Sequence, residues 1–377
     1  MNHRPLARGG LYAGAFLGPF GGGITVAMLP ELGTAFGVSA GTASLSVTAY
    51  LLPFAAFMIG SGTFGERRGR RRTVVVAYGV YALASLACVV ATAFPVFLAA
   101  RALQGAANAF TTPLLLSALA AAVPAQRLGR ALGWFGSLQA AGQTSAPLLG
   151  GFAAEVDWRL AFAGVAVVAV ALALIGIPAD AGAAAARSGL GAELRATLRP
   201  AVLRAGLVSA LGWACLAGLN FLVALRLEEE FGIGAGPRGL VLTGLGVAGL
   251  LTARLVGGGV DRIGARRSVL LGSGIGVLVV LGVGLLPTVW LVALAWAVGG
   301  VATQLVTVGV NAMVLGSATH NRGGAVSMVQ AVRFGGAALS PVVVIPIYHA
   351  EPLAGFLVPA TLLAVAVPLA LPRPAAR

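Results

Sequence analysis

The feature that most constrains this chain is a set of long stretches without any Asp, Glu, Lys or Arg. The longest runs from Ser268 to Asn321, and others run from Thr73 to Ala100 and from Ala131 to Ala154. A helix needs about 20 mostly apolar residues to cross the hydrocarbon core of a bilayer. Each stretch can hold one membrane span, and the longest can hold two. Because 58% of the residues are hydrophobic, a soluble core could not bury this surface, and we predict an integral membrane protein.

Clusters of glycine, proline and charge divide the apolar sequence into twelve predicted spans. Their limits are 11–30, 43–64, 73–93, 96–120, 131–154, 160–178, 201–225, 239–259, 268–286, 288–316, 325–346 and 353–371. We therefore predict an all-α membrane protein of twelve transmembrane helices in two pseudo-symmetric halves of six. The predicted domains are an N-terminal half at 1–178, a central cytoplasmic linker at 179–200 and a C-terminal half at 201–377.

The positive charge of the chain comes from arginine, and it lies in the short gaps between spans. The formal net charge is +14, and five arginines fall within residues 67–72. On alternate loops nearly all arginines lie on one side, and the opposite side has Arg159, Arg226 and Arg238. Because cytoplasmic loops carry the Lys/Arg excess, both termini are predicted to be cytoplasmic in a bacterial plasma membrane. Arginines so placed argue against nucleic-acid binding.

Two sequence patterns occur once in each half. Residues 62–72 read "GTFGERRGRRR" and residues 257–267 read "GGGVDRIGARR", and both fit G-x-x-x-[DE]-R-x-G-x-R-R at an offset of 195 residues. A second pair, at an offset of 194, matches residues 129–147 with residues 323–341. These matches indicate an internal duplication, which is common in secondary transporters.

On these motifs the chain resembles the major facilitator superfamily, and within it the twelve-span drug:proton antiporters. Arg101-x-x-Gln104-Gly105 resembles a second motif of that superfamily. "GQTSAPLLGG" at 142–151 resembles the antiporter motif of span five, with Ala146 where relatives have glycine. The resemblance implies a secondary active transporter that works by alternating access and exports a drug-like or natural-product molecule in exchange for protons. The implied partners are the small-molecule substrate, protons and the lipid bilayer, and a monomer is expected.

The resemblance also implies two sets of conformational residues. The loop motifs are expected to latch the two halves, because a carboxylate at a helix N-terminus is electrostatically favourable, and the span-five glycines are expected to allow close helix packing. The gating residues are Gly62, Glu66, Arg67, Gly69, Arg70, Arg71, Gly257, Asp261, Arg262, Gly264, Arg266 and Arg267. The span-five residues are Gly142, Pro147, Gly150 and Gly151.

Arginines inside spans are the sharpest candidates for the substrate cavity or for coupling. An arginine at mid-helix costs roughly 2.5–3.5 kcal/mol on insertion scales, so it requires a polar partner or an aqueous cavity. Arg333 is expected to face substrate, and Arg101 is expected to have a structural or coupling role beside Gln104. The complete predicted set is Arg101, Gln104, Asn108, Gln139, Gln143, Asn220, Gln304, Asn311, Gln330 and Arg333.

The alternatives differ in substrate and coupling. None of the eleven acidic residues lies in the middle of a predicted span, so another coupling group, or a uniporter, is an open alternative. Buried arginines without a matching acid favour a uniporter or exchanger of a small organic or inorganic anion. A transporter-like sensor or scaffold is a third hypothesis. The chain lacks a P-loop motif and any cluster typical of a catalytic triad or metal site, so we predict no enzyme activity and no cofactor.

The orientation can be tested with reporter fusions. Fusions at residues 69, 190 and 264 should report a cytoplasmic position, and fusions at 38, 156 and 234 should report an external one, because the arginine-rich loops stay inside. Paired phosphatase and fluorescent-protein reporters at each site would measure this. A cytoplasmic signal at 234 would contradict the predicted spans of the second half.

Overall fold

The computed structural model describes residues 4–178, 200–317 and 322–371. Every regular element in these ranges is a helix. The chain divides into two compact units. Unit 1 consists of residues 1–189 together with 234–239, and unit 2 consists of residues 190–233 and 240–377. The predicted linker lies outside the described residues except for Pro200, and the predicted domain limits stay predictions.

The first six spans lie in unit 1, and several are interrupted helices. Span one combines Arg4–Gly23 with a 3-10 turn at Val26–Met28 and the helix Leu29–Phe36. The remaining helices of spans two to six are Ala40–Ala43, Leu45–Arg68, Arg70–Val90, Phe94–Ala109, Thr112–Ala122, Ala125–Val156 and Arg159–Ile175.

The other six spans begin at Pro200. Span seven repeats the interruption of span one, with a 3-10 turn at Ala217–Leu219 between two helices. The helices of spans seven to twelve are Pro200–Ala214, Asn220–Glu229, Ala235–Ile263, Ala265–Leu285, Val289–Ser317, Arg322–Ala350, Pro352–Thr361 and Val367–Ala370, the last two joined by the π-helical turn Leu362–Ala366.

The helices confirm the predicted class of membrane protein. In the described part of the chain, ten segments are long and apolar enough to cross a membrane. Ala125–Val156 and the shorter apolar helix Arg159–Ile175 supply spans five and six. The count of twelve is consistent with the predicted architecture.

The two copies of the loop motif have the same backbone conformation. Gly69 has φ of 92° and Gly264 has φ of 86°, and each lies between two helices, Leu45–Arg68 and Arg70–Val90 in one unit and the equivalent pair in the other. Side chains with a Cβ are disfavoured in this left-handed region, and glycine adopts it readily. The glycine of the motif is therefore required by a tight helix-to-helix turn that occurs once in each unit.

Close helix contacts recur at the two offsets seen in the sequence. A Cβ at Gly105 would collide with the carbonyl oxygen of Tyr50, and a Cβ at Gly300 would collide with that of Leu245. The glycine and the residue that it contacts in unit 2 both lie 195 positions after their counterparts in unit 1. A Cβ at Gly142 would likewise meet the carbonyl oxygen of Phe16, and the corresponding contact in unit 2, shifted by 194 residues, joins Gly336 to Ala210. The helices that touch through backbone are thus the same in both units, as a duplication requires.

A cluster of aromatic side chains packs spans one, four and six together in unit 1. Phe97 lies 5.5 Å from Trp158 and 5.4 Å from Phe162, measured between ring centroids, and both contacts are edge-to-face. Phe36 joins the same group, 5.2 Å from Phe97. Such pairs stabilise beyond the area they bury. The cluster fixes spans four and six against the end of span one, next to the buried Arg101.

Candidate functional site

Arg101 is fully buried in unit 1 and hydrogen-bonds two neighbouring spans and its own. Its Nη1 donates to the carbonyl oxygen of Gly21 at 3.1 Å and to Oε1 of Gln104 at 2.6 Å. Its Nε donates to the carbonyl oxygen of Ser46 at 3.4 Å. The guanidinium carbon lies 4.4 Å from the ring centroid of Tyr50. These acceptors and the ring face replace part of the water that the charge loses, and Nη2 is buried without a hydrogen-bond partner in the described part of the chain.

Gln104 carries the same network to span three. Its Nε2 donates to the hydroxyl of Ser85 at 2.7 Å, and that hydroxyl donates to the carbonyl oxygen of Tyr81 at 2.7 Å. Both Arg101 and Gln104 have no exposed surface. In this structure their geometry is that of a polar anchor holding helices together, and the coupling role predicted for them is untested.

The other cavity residues predicted in unit 1 lie along spans four and five. Asn108 is buried, and its Oδ1 accepts a hydrogen bond from the hydroxyl of Thr111 at 2.8 Å. Gln139 is half-buried and Gln143 is exposed. Gln143 lies one helical turn from Gln139. Of the cavity residues predicted in unit 1, these two are therefore the ones that solvent or a ligand can reach.

Arg333 is the buried cation of span eleven in unit 2. Its Nη2 donates to Oε1 of Gln330 at 2.7 Å, and its guanidinium carbon lies 4.2 Å from the Trp213 ring centroid and 4.9 Å from that of Phe334. Nε is buried without a hydrogen-bond partner, and the residue is 9% exposed. No carboxylate pairs with it among the residues that the structure describes.

The surroundings of Arg333 are aromatic and polar. Trp213 donates from Nε1 to the hydroxyl of Thr307 at 3.1 Å, which fixes the indole ring. Phe334 meets the same ring edge-on at 5.3 Å between centroids. Asn220, on the same span as Trp213, has a buried Oδ1 without a partner. The immediate surroundings of Arg333 are therefore one amide acceptor and two aromatic faces.

The remaining predicted residues of unit 2 lie on span ten. Gln304 is half-buried and donates from Nε2 to the carbonyl oxygen of Gly249 at 3.5 Å. Asn311 is half-buried as well. The predicted cavity residues are thus divided between the units: Arg101, Gln104, Asn108, Gln139 and Gln143 lie in unit 1, and Asn220, Gln304, Asn311, Gln330 and Arg333 lie in unit 2.

The arginines of the first loop motif have different environments. Arg70 is buried, and its Nη1 donates to the carbonyl oxygen and the hydroxyl of Ser117 at 3.1 and 3.0 Å. Arg67 is exposed. A Cβ on Gly62 would reach Pro113 at 3.7 Å, an ordinary contact. The side chain of Glu66 lies outside the part of the chain that the structure describes. Arg70 therefore ties the turn between spans two and three to span four.

The second loop motif is more open. Asp261, Arg262 and Arg267 are exposed, and Arg266 is half-buried. Gly257 has open space where a Cβ would lie. The positive φ of Gly264 is the one property of this copy that glycine must supply. The predicted latch between the two motifs stays a prediction.

The span-five motif packs by backbone contact. Besides the contact of Gly142, a Cβ on Gly150 would collide with the carbonyl oxygen of Ile24, and one on Gly151 would collide with that of Ala235. The carbonyl oxygen of Pro147 in turn approaches Gly239. Residues 234–239 belong to unit 1, so all these contacts lie within it. The glycines bring span five against span one and against the start of span eight.

An ion pair between a fully buried arginine and a partly exposed glutamate, which sequence reasoning missed, lies beside this contact. Arg238 has no exposed surface, and its Nη2 donates to both carboxylate oxygens of Glu31 at 2.7 Å. Its Nε donates to the carbonyl oxygen of Ala27 at 2.7 Å. Glu155 accepts from the backbone N–H of Gly236 at 3.0 Å. In the sequence, Arg238 is one of three arginines on the arginine-poor side, and Glu31 follows the first predicted span at the same side, so the shared side was the available signal.

The comparisons with known proteins agree with this architecture. A family model described as Major Facilitator Superfamily matches residues 11–287 and 205–377. The crystal structure of a D-xylose-proton symporter superposes with a TM-score of 0.78, covering 97% of this chain and 96% of that one at 15% sequence identity. At this identity the likeness shows the fold alone.

Curated relatives match over part of their length. The uncharacterized MFS-type transporter EfpA of Mycobacterium tuberculosis is 30% identical over 140 residues, which are 37% of this chain and 26% of the relative. The drug efflux pump JefA of the same species is 32% identical over 136 residues, 36% of this chain and 27% of the relative. The matched stretch thus spans about a quarter of each relative.

The pair of Glu31 and Arg238 gives a stability prediction. Glu31→Gln should destabilise the protein by about 3 kcal/mol, because it leaves a fully buried guanidinium without its counter-ion. Thermal unfolding in detergent, followed by tryptophan fluorescence, would measure the loss. The matched control is Asp157→Asn, which removes an exposed pair with Arg159 at 3.6 Å and should cost at most about 1 kcal/mol. Equal melting temperatures for the two variants would contradict the assignment.

Proposed function

Because the chain belongs to the Major Facilitator Superfamily, whose members are transporters rather than enzymes, we propose that it exports a drug-like or natural-product molecule. The proposed mechanism is secondary active transport by alternating access, coupled to protons. The proposed location is the bacterial inner membrane with both termini in the cytoplasm, for which the reporter fusions above are the test.

The observation that carries the proposal of export is the packing of the span-five motif. Gly142 and Gly150 lie against backbone carbonyl groups of span one, so a side chain at either position would force the two helices apart. The antiporter resemblance rests on these glycines, and the similarity to a protein named as a drug efflux pump supports the same substrate class. Aromatic faces at Trp213 and Phe334, 4.2 and 4.9 Å from the guanidinium of Arg333, are suited to a lipophilic molecule.

Export predicts resistance that depends on the proton gradient. Expression of the chain in an efflux-deficient bacterial host should raise the minimum inhibitory concentration of one or more lipophilic compounds severalfold. A protonophore should abolish this gain, because the exchange has no other energy source in the proposal. Cellular accumulation of a fluorescent substrate would measure transport directly. Resistance that survives the protonophore would contradict proton coupling, and no gain for any compound would contradict export.

A variant of the proposed latch gives a second test in the same assay. Glu66→Ala combined with Asp261→Asn should reach the membrane at the wild-type level and confer less resistance, since each change removes a helix-terminus contact and a charge-assisted hydrogen bond from the proposed latch. Full transport by the double variant would show that these acids only mark the membrane boundary.

A second candidate function is the movement of a small organic or inorganic anion. The observation that favours it is the unpaired Nε of Arg333, since a buried guanidinium with a free donor is suited to a carboxylate or phosphate. In this alternative the aromatic rings would shield the ion pair from water, and transport would occur by uniport or exchange.

Substitutions of Arg333 distinguish the two functions. If an anionic substrate binds there, Arg333→Lys should keep partial transport, because the charge remains while bidentate geometry is lost. Arg333→Gln should weaken binding by roughly 10- to 150-fold, the equivalent of about 1.5–3 kcal/mol. Ligand-dependent quenching of Trp213, checked against Trp213→Phe, would report binding because the ring lies on the guanidinium.

The matched control is Arg254→Gln, an exposed arginine of span eight, which should leave affinity unchanged. If Arg333→Gln binds substrate as tightly as the wild type while unfolding at a lower temperature, Arg333 is held by its neighbours for stability, and the anion hypothesis is wrong.

A further inference from the structure

A groove in unit 1 lies apart from the buried polar network of Arg101. It has a volume of about 430 Å³ and is formed by spans two, three and four. Phe57, Phe64, Val76 and Leu103 line it, and each of these side chains is about half exposed. Because the spans are embedded in a bilayer, an apolar surface of this kind opens toward lipid. The groove is thus accessible to hydrocarbon chains along most of its length.

One end of the groove is cationic. Arg68 and Arg72 line it there, and both are exposed. Arg68 is the last residue of the helix of span two, and Arg72 lies in the first turn of span three, so both lie at the membrane boundary. The guanidinium carbon of Arg68 is 5.3 Å from the ring centroid of Phe64, which joins the charged end of the groove to its apolar wall.

The arginine cluster provides more charge than the proposed gating role uses. The gating set predicted from the loop motif contains Arg67, Arg70 and Arg71. Arg68 belongs to neither the set nor the motif, and Arg72, the last arginine of the motif, is exposed and lines the groove. Arg70 is directed to Ser117 and away from the surface. The excess of arginine expected in cytoplasmic loops explains why the remaining residues are positively charged. It does not explain why Arg68 and Arg72 line the end of an apolar groove.

We propose that this groove binds one anionic phospholipid. An acyl chain would lie between Phe57, Val76 and Leu103, and the phosphate would lie against Arg68 and Arg72, whose planar donors match phosphate oxygens. Charge complementarity selects this occupant, since a zwitterionic lipid would satisfy the apolar wall equally but would gain less from two cations at the boundary. The site is independent of the proposed transport function.

Lipid binding to the purified full-length chain tests this directly. Phosphatidylglycerol and phosphatidylcholine with identical acyl chains would be titrated into delipidated protein in detergent, and bound lipid would be counted by native mass spectrometry. We expect phosphatidylglycerol to bind more tightly. Arg68→Gln combined with Arg72→Gln should weaken phosphatidylglycerol binding about thirtyfold, from the attraction that each arginine near the surface contributes, and should leave phosphatidylcholine nearly unchanged.

Two further variants make the result specific. Arg127→Gln with Arg130→Gln removes two exposed arginines of span five and should leave phosphatidylglycerol binding unchanged. Ala106→Phe places a ring in the groove, which Ala106 lines, and should weaken both lipids. Equal affinity for the two lipids, or an equal loss from both arginine pairs, would overturn the proposal. So would unchanged binding in Ala106→Phe that unfolds at the wild-type temperature.

Discussion

The hydrogen-bond network of a single buried guanidinium joins the first four spans. In a bilayer the charge of Arg101 has no bulk water to solvate it, so its Nε and Nη1 donate to protein acceptors, while its Nη2 is buried without a hydrogen-bond partner in the described structure. The acceptors belong to Gly21 in span one, Ser46 in span two and Gln104 in its own span, and Gln104 continues the chain of bonds to span three. The backbone contact of Gly105 with span two is one turn from this charge. The helix register that brings Gly105 against span two is therefore also the register that places the Arg101 guanidinium beside its acceptors.

The two units share helix contacts but differ in polar chemistry. Position 296, which corresponds to Arg101 at the offset of 195, is a buried tryptophan. Conversely, Arg333 corresponds at the offset of 194 to Gln139. Arg101 and Arg333 thus lie on different helices, and both guanidinium groups lie near two aromatic rings. They differ in hydrogen bonding, since Arg101 has three acceptors and Arg333 has one. The two units therefore share their backbone contacts between helices, while their buried arginines lie at positions that do not correspond.

Sequence reasoning succeeded where the determinant is local. Stretches without charge predict spans, and a motif glycine such as Gly69 indicates a turn that its positive φ then explains. It failed where a contact joins distant positions. Nothing near Arg238 in the chain points to Glu31, 207 residues away. The ring that covers Arg333 comes from another span, so the sequence could identify the buried charge but could not identify Trp213 as the residue beside it.

The change of offset between the repeats has a consequence for how the copies diverged. Contacts of Gly105 and Gly300 differ by 195, whereas those of Gly142 and Gly336 differ by 194, so one residue was gained or lost between them. Within a continuous helix such a change would rotate everything that follows by about 100°. Span four ends one helix at Ala109 and begins another at Thr112, while span ten continues from Val289 to Ser317. The offset changes between residues 105 and 129, a stretch that contains this interruption and the connection between spans four and five. Because neither is part of a continuous helix, an odd residue there leaves the helices on both sides in phase with their counterparts in the other copy.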